Sequence, residues 1–120
     1  MGVVYHANYL VWCEVGRTEL IRRRGESYAS LEQRGTMLAV ADASIRYHAP
    51  ARYDDLIRVE TWIEELRSRT VRFGYLILRV PEQGEPERLA TASTTLVALD
   101  RGSRPRKMPQ DVLEMLGDGE

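Results

Sequence analysis

Cysteine occurs once in the 120 residues, at Cys13. No internal disulfide can form, which fits a reducing compartment. Histidine occurs twice, and neither it nor the lone cysteine falls at ligand-like spacing, which argues against a built-in zinc site. No apolar run approaches the roughly 20 residues that a membrane helix needs. Nor does a basic segment precede an apolar stretch at the start, as it would in a signal peptide. The cytoplasm is the expected address. Lysine and arginine total 17 against 18 acids, and the net charge of -1 gives no general reason to expect nucleic acid or an anionic membrane as partner. A Walker-type glycine loop is absent, as is the basic–aromatic interleaving used on single-stranded nucleic acid. What is present is an ordinary globular composition, 43% hydrophobic and 29% charged, at a length that reads as one domain over residues 1–120.

Asn8 to Arg24 reads as a long helix, because Tyr9, Cys13, Gly16 and Leu20 form one stripe at helical period, flanked by Leu10, Val15 and Ile21. A glycine inside a helix costs roughly 1 kcal/mol relative to alanine, so a close backbone approach is expected at Gly16. Arg22, Arg23 and Arg24 followed by Gly25 make a helix stop. A short second helix is expected from Tyr28 to Arg34, capped by Ser27 and ended by Gly35. From Met37 the period becomes two, placing Met37, Ala39, Ala41, Ala43, Ile45 and Tyr47 on one face of a strand. Ala49 to Asp55 reads as a loop, and Arg58–Leu66, Thr70–Val80 and Leu89–Leu99 as further strands. The small Ala90, Ala92 and Ala98 are expected to let a helix lie close against the last strand, and Pro109 to open a terminal helix through Leu116. This order predicts an α+β fold, with four successive strands in an antiparallel meander packed against the long helix.

Two stretches carry more than architecture. Gly2-Val3-Val4-Tyr5-His6-Ala7-Asn8-Tyr9 resembles the active-site entrance of the hotdog-fold acyl-CoA thioesterases, in the group of the 4-hydroxybenzoyl-CoA and Tol-Pal-associated enzymes. Tyr47-x-x-Pro50-Ala51-Arg52-Tyr53-Asp54-Asp55 resembles a turn of the same family, at the expected separation. The resemblance covers nearly the whole chain. It implies a hotdog fold, a long central helix wrapped by an antiparallel sheet, with the family's first strand missing ahead of Met1. The family's catalytic carboxylate, the second acid of an Asp-x-Asp segment, would also lie just ahead of Met1. Relatives often read Asp-Thr-Asp-Ala-Met-Gly here, so Met1 is expected to be an internal methionine taken as the start. A chain that begins at Met1 is then expected to lack its acid and to be impaired in turnover.

Hydrolysis of a thioester needs its carbonyl oxygen polarised, and unpaired amides at a helix N-terminus suit that task. The resemblance puts the polarising donor at the His6 amide, and losing such a donor typically costs about 10² to 10³ in rate. His6 and Asn8 are therefore the catalytic candidates, although Asn8 equally suits a helix cap. Gly2, Val3 and Tyr5 are expected against the substrate, with Tyr5 in the acyl pocket or at a subunit contact. Asp42 is the candidate substitute acid beside the substrate, with a polar-face or interface residue as the alternative. Asp54 and Asp55 suit local turn bonds, and Cys13 reads as a small core residue rather than a nucleophile. Arg67-Ser68-Arg69-Thr70 matches the stretch with which the family holds the nucleotide end of coenzyme A, arginine's planar fork being suited to phosphate. A second basic cluster, Arg101, Arg104, Arg106 and Lys107, suits further contacts from a neighbouring subunit.

The implied reaction is hydrolysis of an acyl-CoA to a carboxylic acid and free coenzyme A, which enters as substrate; no cofactor and no metal are expected. A homodimer, often a homotetramer, with sites at the subunit interface is the implied assembly. Two alternatives stay open: an enoyl-thioester hydratase on the same fold, whose His and acid pattern the Tyr5–Tyr9 run does not resemble, and a non-catalytic module that binds acyl-CoA or assembles with partners.

Overall fold

A computed structural model describes residues 7–117. Its elements are α1 (Ala7–Arg23), α2 (Tyr28–Gln33), β1 (Met37–Tyr47), β2 (Ile57–Leu66), β3 (Thr70–Arg79), β4 (Glu87–Leu99) and α3 (Gln110–Gly117). The helix ends fall where local chemistry puts them. Gly25 takes φ 98°, and the Gly25 and Glu26 amides donate back to the Arg22 and Ile21 carbonyls at 3.0 and 3.3 Å. Ser27 caps α2 in a reciprocal pair: its hydroxyl accepts from the Ser30 amide at 3.1 Å, and Ser30 Oγ accepts from the Ser27 amide at 3.0 Å.

The four strands form one antiparallel sheet in the order β1-β4-β3-β2. The expected meander therefore holds only for β2, β3 and β4. β1 pairs with β4 instead of β2, Tyr47 lying opposite Ala90 and Met37 opposite Leu99. The link from β1 to β2 must cross the end of the sheet, and among the described residues β1 and β2 are its two edge strands.

Val71, Phe73, Tyr75 and Ile77 of β3 are fully buried on the helix side, as their alternation predicts. β1 departs from its expected alternation. A bulge between Val40 and Asp42 adds one residue to the strand, so Leu38 and Val40 share the helix side with Ala43, Ile45 and Tyr47. Met37 and Ala39 consequently face the other way. α1 lies chiefly over β2 and secondarily over β3, rather than against the small residues of β4. Gly16 makes the close approach: a Cβ there would collide with Thr61 Oγ1 and lie 3.1 Å from Val59 Cγ1. Met108 ahead of α3 and Val112 and Leu116 within it are buried against the core, while Arg24 donates to the Leu116 carbonyl at 2.6 Å.

Candidate active site

Tyr9 joins the two stretches that the sequence singles out. Its side chain is 1% exposed, and its hydroxyl accepts a hydrogen bond from the Ala51 amide at 3.1 Å. Its ring meets Tyr47 edge-on at 5.0 Å between centroids, and Trp12 at 4.9 Å with a 59° tilt. The start of α1 and the turn after β1 are thus one unit. Within that turn Asp55 Oδ2 accepts from the Arg52 amide at 2.7 Å and Asp54 takes φ 71°, so these two acids shape the loop, as expected.

Asn8 lies in the first turn of α1 and is exposed. Amides in a helix's first turn have no intrahelical acceptor and sit at the positive end of the dipole. No acid occupies that first turn to neutralise them. Gly2, Val3, Tyr5 and His6 lie outside the described residues. Near Asn8 the surface is partly open and apolar: Leu10 of α1 and Tyr47 at the end of β1 are 47% and 43% exposed, whereas the exposed Val40 lies toward the other end of β1, level with Val71. An apolar surface therefore stands next to the first turn of α1.

The remaining candidates lie elsewhere in the protomer. Asp42 follows the β1 bulge, pairs opposite Thr95 and faces away from α1, so the structure does not bring it to the helix start. Arg67, Arg69 and Thr70 occupy the turn and strand start between β2 and β3, at the opposite end of the sheet. Ile77 is level with Ala90 and Tyr47, and the run from Ile77 back to Thr70 spans roughly 23 Å at about 3.3 Å per residue. No single protomer brings these arginines to Asn8. Arg67 is paired with Glu65 at 3.2 Å on the surface.

The second basic cluster does meet the first, because the Met108 amide donates to the Ser68 carbonyl at 2.8 Å. Two of its arginines have structural work: Arg101 and Arg106 donate to the Gln33 and Gly35 carbonyls at 2.9 and 3.1 Å, closing the end of α2. Composition cannot distinguish such capping arginines from ligand-binding ones.

Cys13 is fully buried, and burial pushes its thiol from 9.0 up to about 11, with Arg17 opposing. A protonated, inaccessible thiol is no nucleophile. Periodicity gave no sign of Arg17, which is only 8% exposed between α1 and the sheet. Burial works against its charge, but the Tyr75 hydroxyl, followed by Tyr28, outweighs this and holds the guanidinium protonated. Tyr75 is in turn tied to Thr94 Oγ1 at 2.6 Å.

The sequence pattern that defines the thioesterase superfamily matches residues 1–85. The chain belongs to that superfamily. A putative acyl-CoA thioesterase of Bacillus subtilis, YneP, is 47% identical over 77 residues, which cover 64% of this chain and 56% of that protein. The acyl-CoA thioester hydrolase YbgC of Escherichia coli is 31% identical over 113 residues, covering 93% of this chain and 81% of the relative. Among solved structures, a hypothetical protein of Thermus thermophilus superposes with a TM-score of 0.86 at 33% identity, over 97% of this chain and 85% of that one. The fold is the hotdog thioesterase fold, and this superfamily member is a homologue of acyl-CoA thioesterases.

Proposed function

We propose that this thioesterase-superfamily protein hydrolyses acyl-CoA thioesters to carboxylic acids and free coenzyme A. The observation that carries the reading is the Tyr9–Ala51 hydrogen bond, which fixes the start of α1 against the turn after β1 and beside an apolar wall. In this reading the first amides of α1 draw charge onto the thioester oxygen, as such preorganised donors do best where water is excluded. Water adds to the carbonyl carbon as a base takes its proton. The carbon–sulfur bond then breaks, and the coenzyme leaves as a thiolate that is protonated in turn. The family resemblance assigns the strongest donor to the His6 amide, with Asn8 supporting that turn.

The assembly proposed is a homodimer, and from it a homotetramer, in the cytoplasm. The distance between Asn8 and the Arg67–Thr70 turn supports it: a second copy would bring its Arg67, Arg69 and Thr70 to the nucleotide of a coenzyme whose thioester lies at the first copy's α1. The free edge of β1 and the exposed Val40 and Tyr47 supply a surface for that copy.

The test is release of free thiol from a panel of aliphatic and aromatic acyl-CoAs by the purified protein. Release above the spontaneous rate, saturating with substrate, is the expected result. Tight acyl-CoA binding with no release would replace the hydrolase reading with the binding-module one.

A further inference from the structure

A cation stands in the core of this protein with no acid to balance it. In the folded chain the buried row of α1 is Tyr9, Cys13, Arg17 and Ile21, one residue per turn. Three places in that row hold core side chains, and the remaining one holds a guanidinium. Among the described residues no carboxylate pairs with Arg17. Its Nε is buried and has no hydrogen-bond partner among them. Its polar neighbours are hydroxyls, that of Tyr75 in β3 and that of Tyr28 at the start of α2. Glu14, one turn away on α1, is exposed. Well-packed apolar side chains in place of buried charges are often neutral or stabilising, so fold stability alone does not account for an arginine here.

Side chains on a helix tilt toward its N-terminus. The charge of Arg17 is accordingly felt at the Cys13 thiol one turn earlier, where it opposes the effect of burial. Cys13 in turn lies about 9 Å of helix axis from Ala7, where α1 begins. The guanidinium thus stands roughly 10 Å behind the first amides of α1. The side chains between, Tyr9 and Cys13, are buried, so bulk water does not screen the charge along that path. At such a distance, with an effective dielectric near 20, one charge changes an equilibrium by about tenfold. We propose that Arg17 is a field-setting residue, a buried and unbalanced cation that adds to the positive end of α1 and favours negative charge on a ligand held there. The proposal rests on the placement of the thioester oxygen at those amides. Arg17 touches neither substrate nor reacting atoms, so it is a positioning residue. A thioester is neutral when it binds, and its oxygen gains charge only as water adds, so the effect falls on kcat and spares KM.

The test compares the whole protein with Arg17→Met and Arg17→Gln, in turnover and in binding. Both variants remove the charge; methionine keeps an apolar side chain of similar reach, and glutamine keeps hydrogen bonds to the tyrosine hydroxyls. Each should lower kcat about tenfold and leave KM within about twofold. The binding arm needs no turnover. Calorimetry with S-carboxymethyl-CoA and with S-acetonyl-CoA presents two thioethers of similar shape, the first carrying an extra negative charge. Each variant should bind the carboxymethyl ligand about tenfold more weakly and the acetonyl ligand unchanged. That selective loss in a protein that releases no thiol would strike the hydrolase reading and still support the role of Arg17. Unchanged kcat in an active protein, equal affinity of wild type and variants for the carboxymethyl ligand, or the same loss on both ligands overturns the proposal. Failure of both variants to fold overturns it too, since Arg17 would then serve stability.

Discussion

Replacing Tyr9 by phenylalanine should lower thioester turnover by about 10- to 100-fold while the protein stays folded. The ring contacts with Tyr47 and Trp12 survive the change, but the Ala51 amide loses the hydroxyl that accepts its hydrogen bond. A buried donor left without a partner costs about 1–3 kcal/mol. The turn can recover part of that loss only by moving toward water, which carries it away from the start of α1. A misplacement of about 1 Å can cost 10² in rate, so kcat should suffer more than KM. Steady-state kinetics beside a denaturant melt will check this. A variant with wild-type kcat and a melt lowered by the expected amount would show that the bond stabilises the fold without positioning the site.

Gly16→Ala should destabilise the protein, against the usual trend for glycine in a helix. Alanine gains about 1 kcal/mol of helix propensity. Here the added methyl would meet Thr61 Oγ1 and press on Val59, and overpacking typically costs about 1–3 kcal/mol. The net expectation is a loss of up to about 2 kcal/mol. Removing the obstacle should change the sign of the trend: in a Thr61→Ala background, Gly16→Ala should cost much less or become stabilising. Denaturation of the four proteins in this cycle measures the coupling directly. Strict additivity would mean that α1 and β2 are not in the contact described.

Much of the fold was legible because its signals are local. Ser27, Gly25 and Gly35 end or cap their helices through bonds within a few residues, and Val71, Phe73, Tyr75 and Ile77 alternate along β3 because they line the buried helix side of an interior strand. The partner of β1 was not legible, since pairing with β4 instead of β2 is decided by residues some fifty positions apart. Nor were the bulges at Ala41 in β1, Glu64 in β2 and Leu89 in β4. One extra residue reverses the face of everything beyond it, yet Met37, Ala39 and Ala41 look as regular on paper as Ala43, Ile45 and Tyr47. At the site, the two family-like stretches showed what belongs together, but only the coordinates show that a tyrosine hydroxyl and a backbone amide join them. Arg17 falls beside the apolar stripe of α1 with no pattern to mark a buried cation. Arg101 and Arg106 look like free surface charge until their carbonyl partners are seen.

The most direct measurement is a structure of the protein with an acyl-CoA analogue in which methylene replaces the thioester sulfur, leaving the ketone intact. Its oxygen should lie about 3 Å from the opening amides of α1, with the acyl group along Leu10 and Tyr47 and the nucleotide at a second copy's Arg67–Thr70 turn. An analogue bound with its ketone remote from those amides would contradict the assigned chemistry, whatever activity the protein displays.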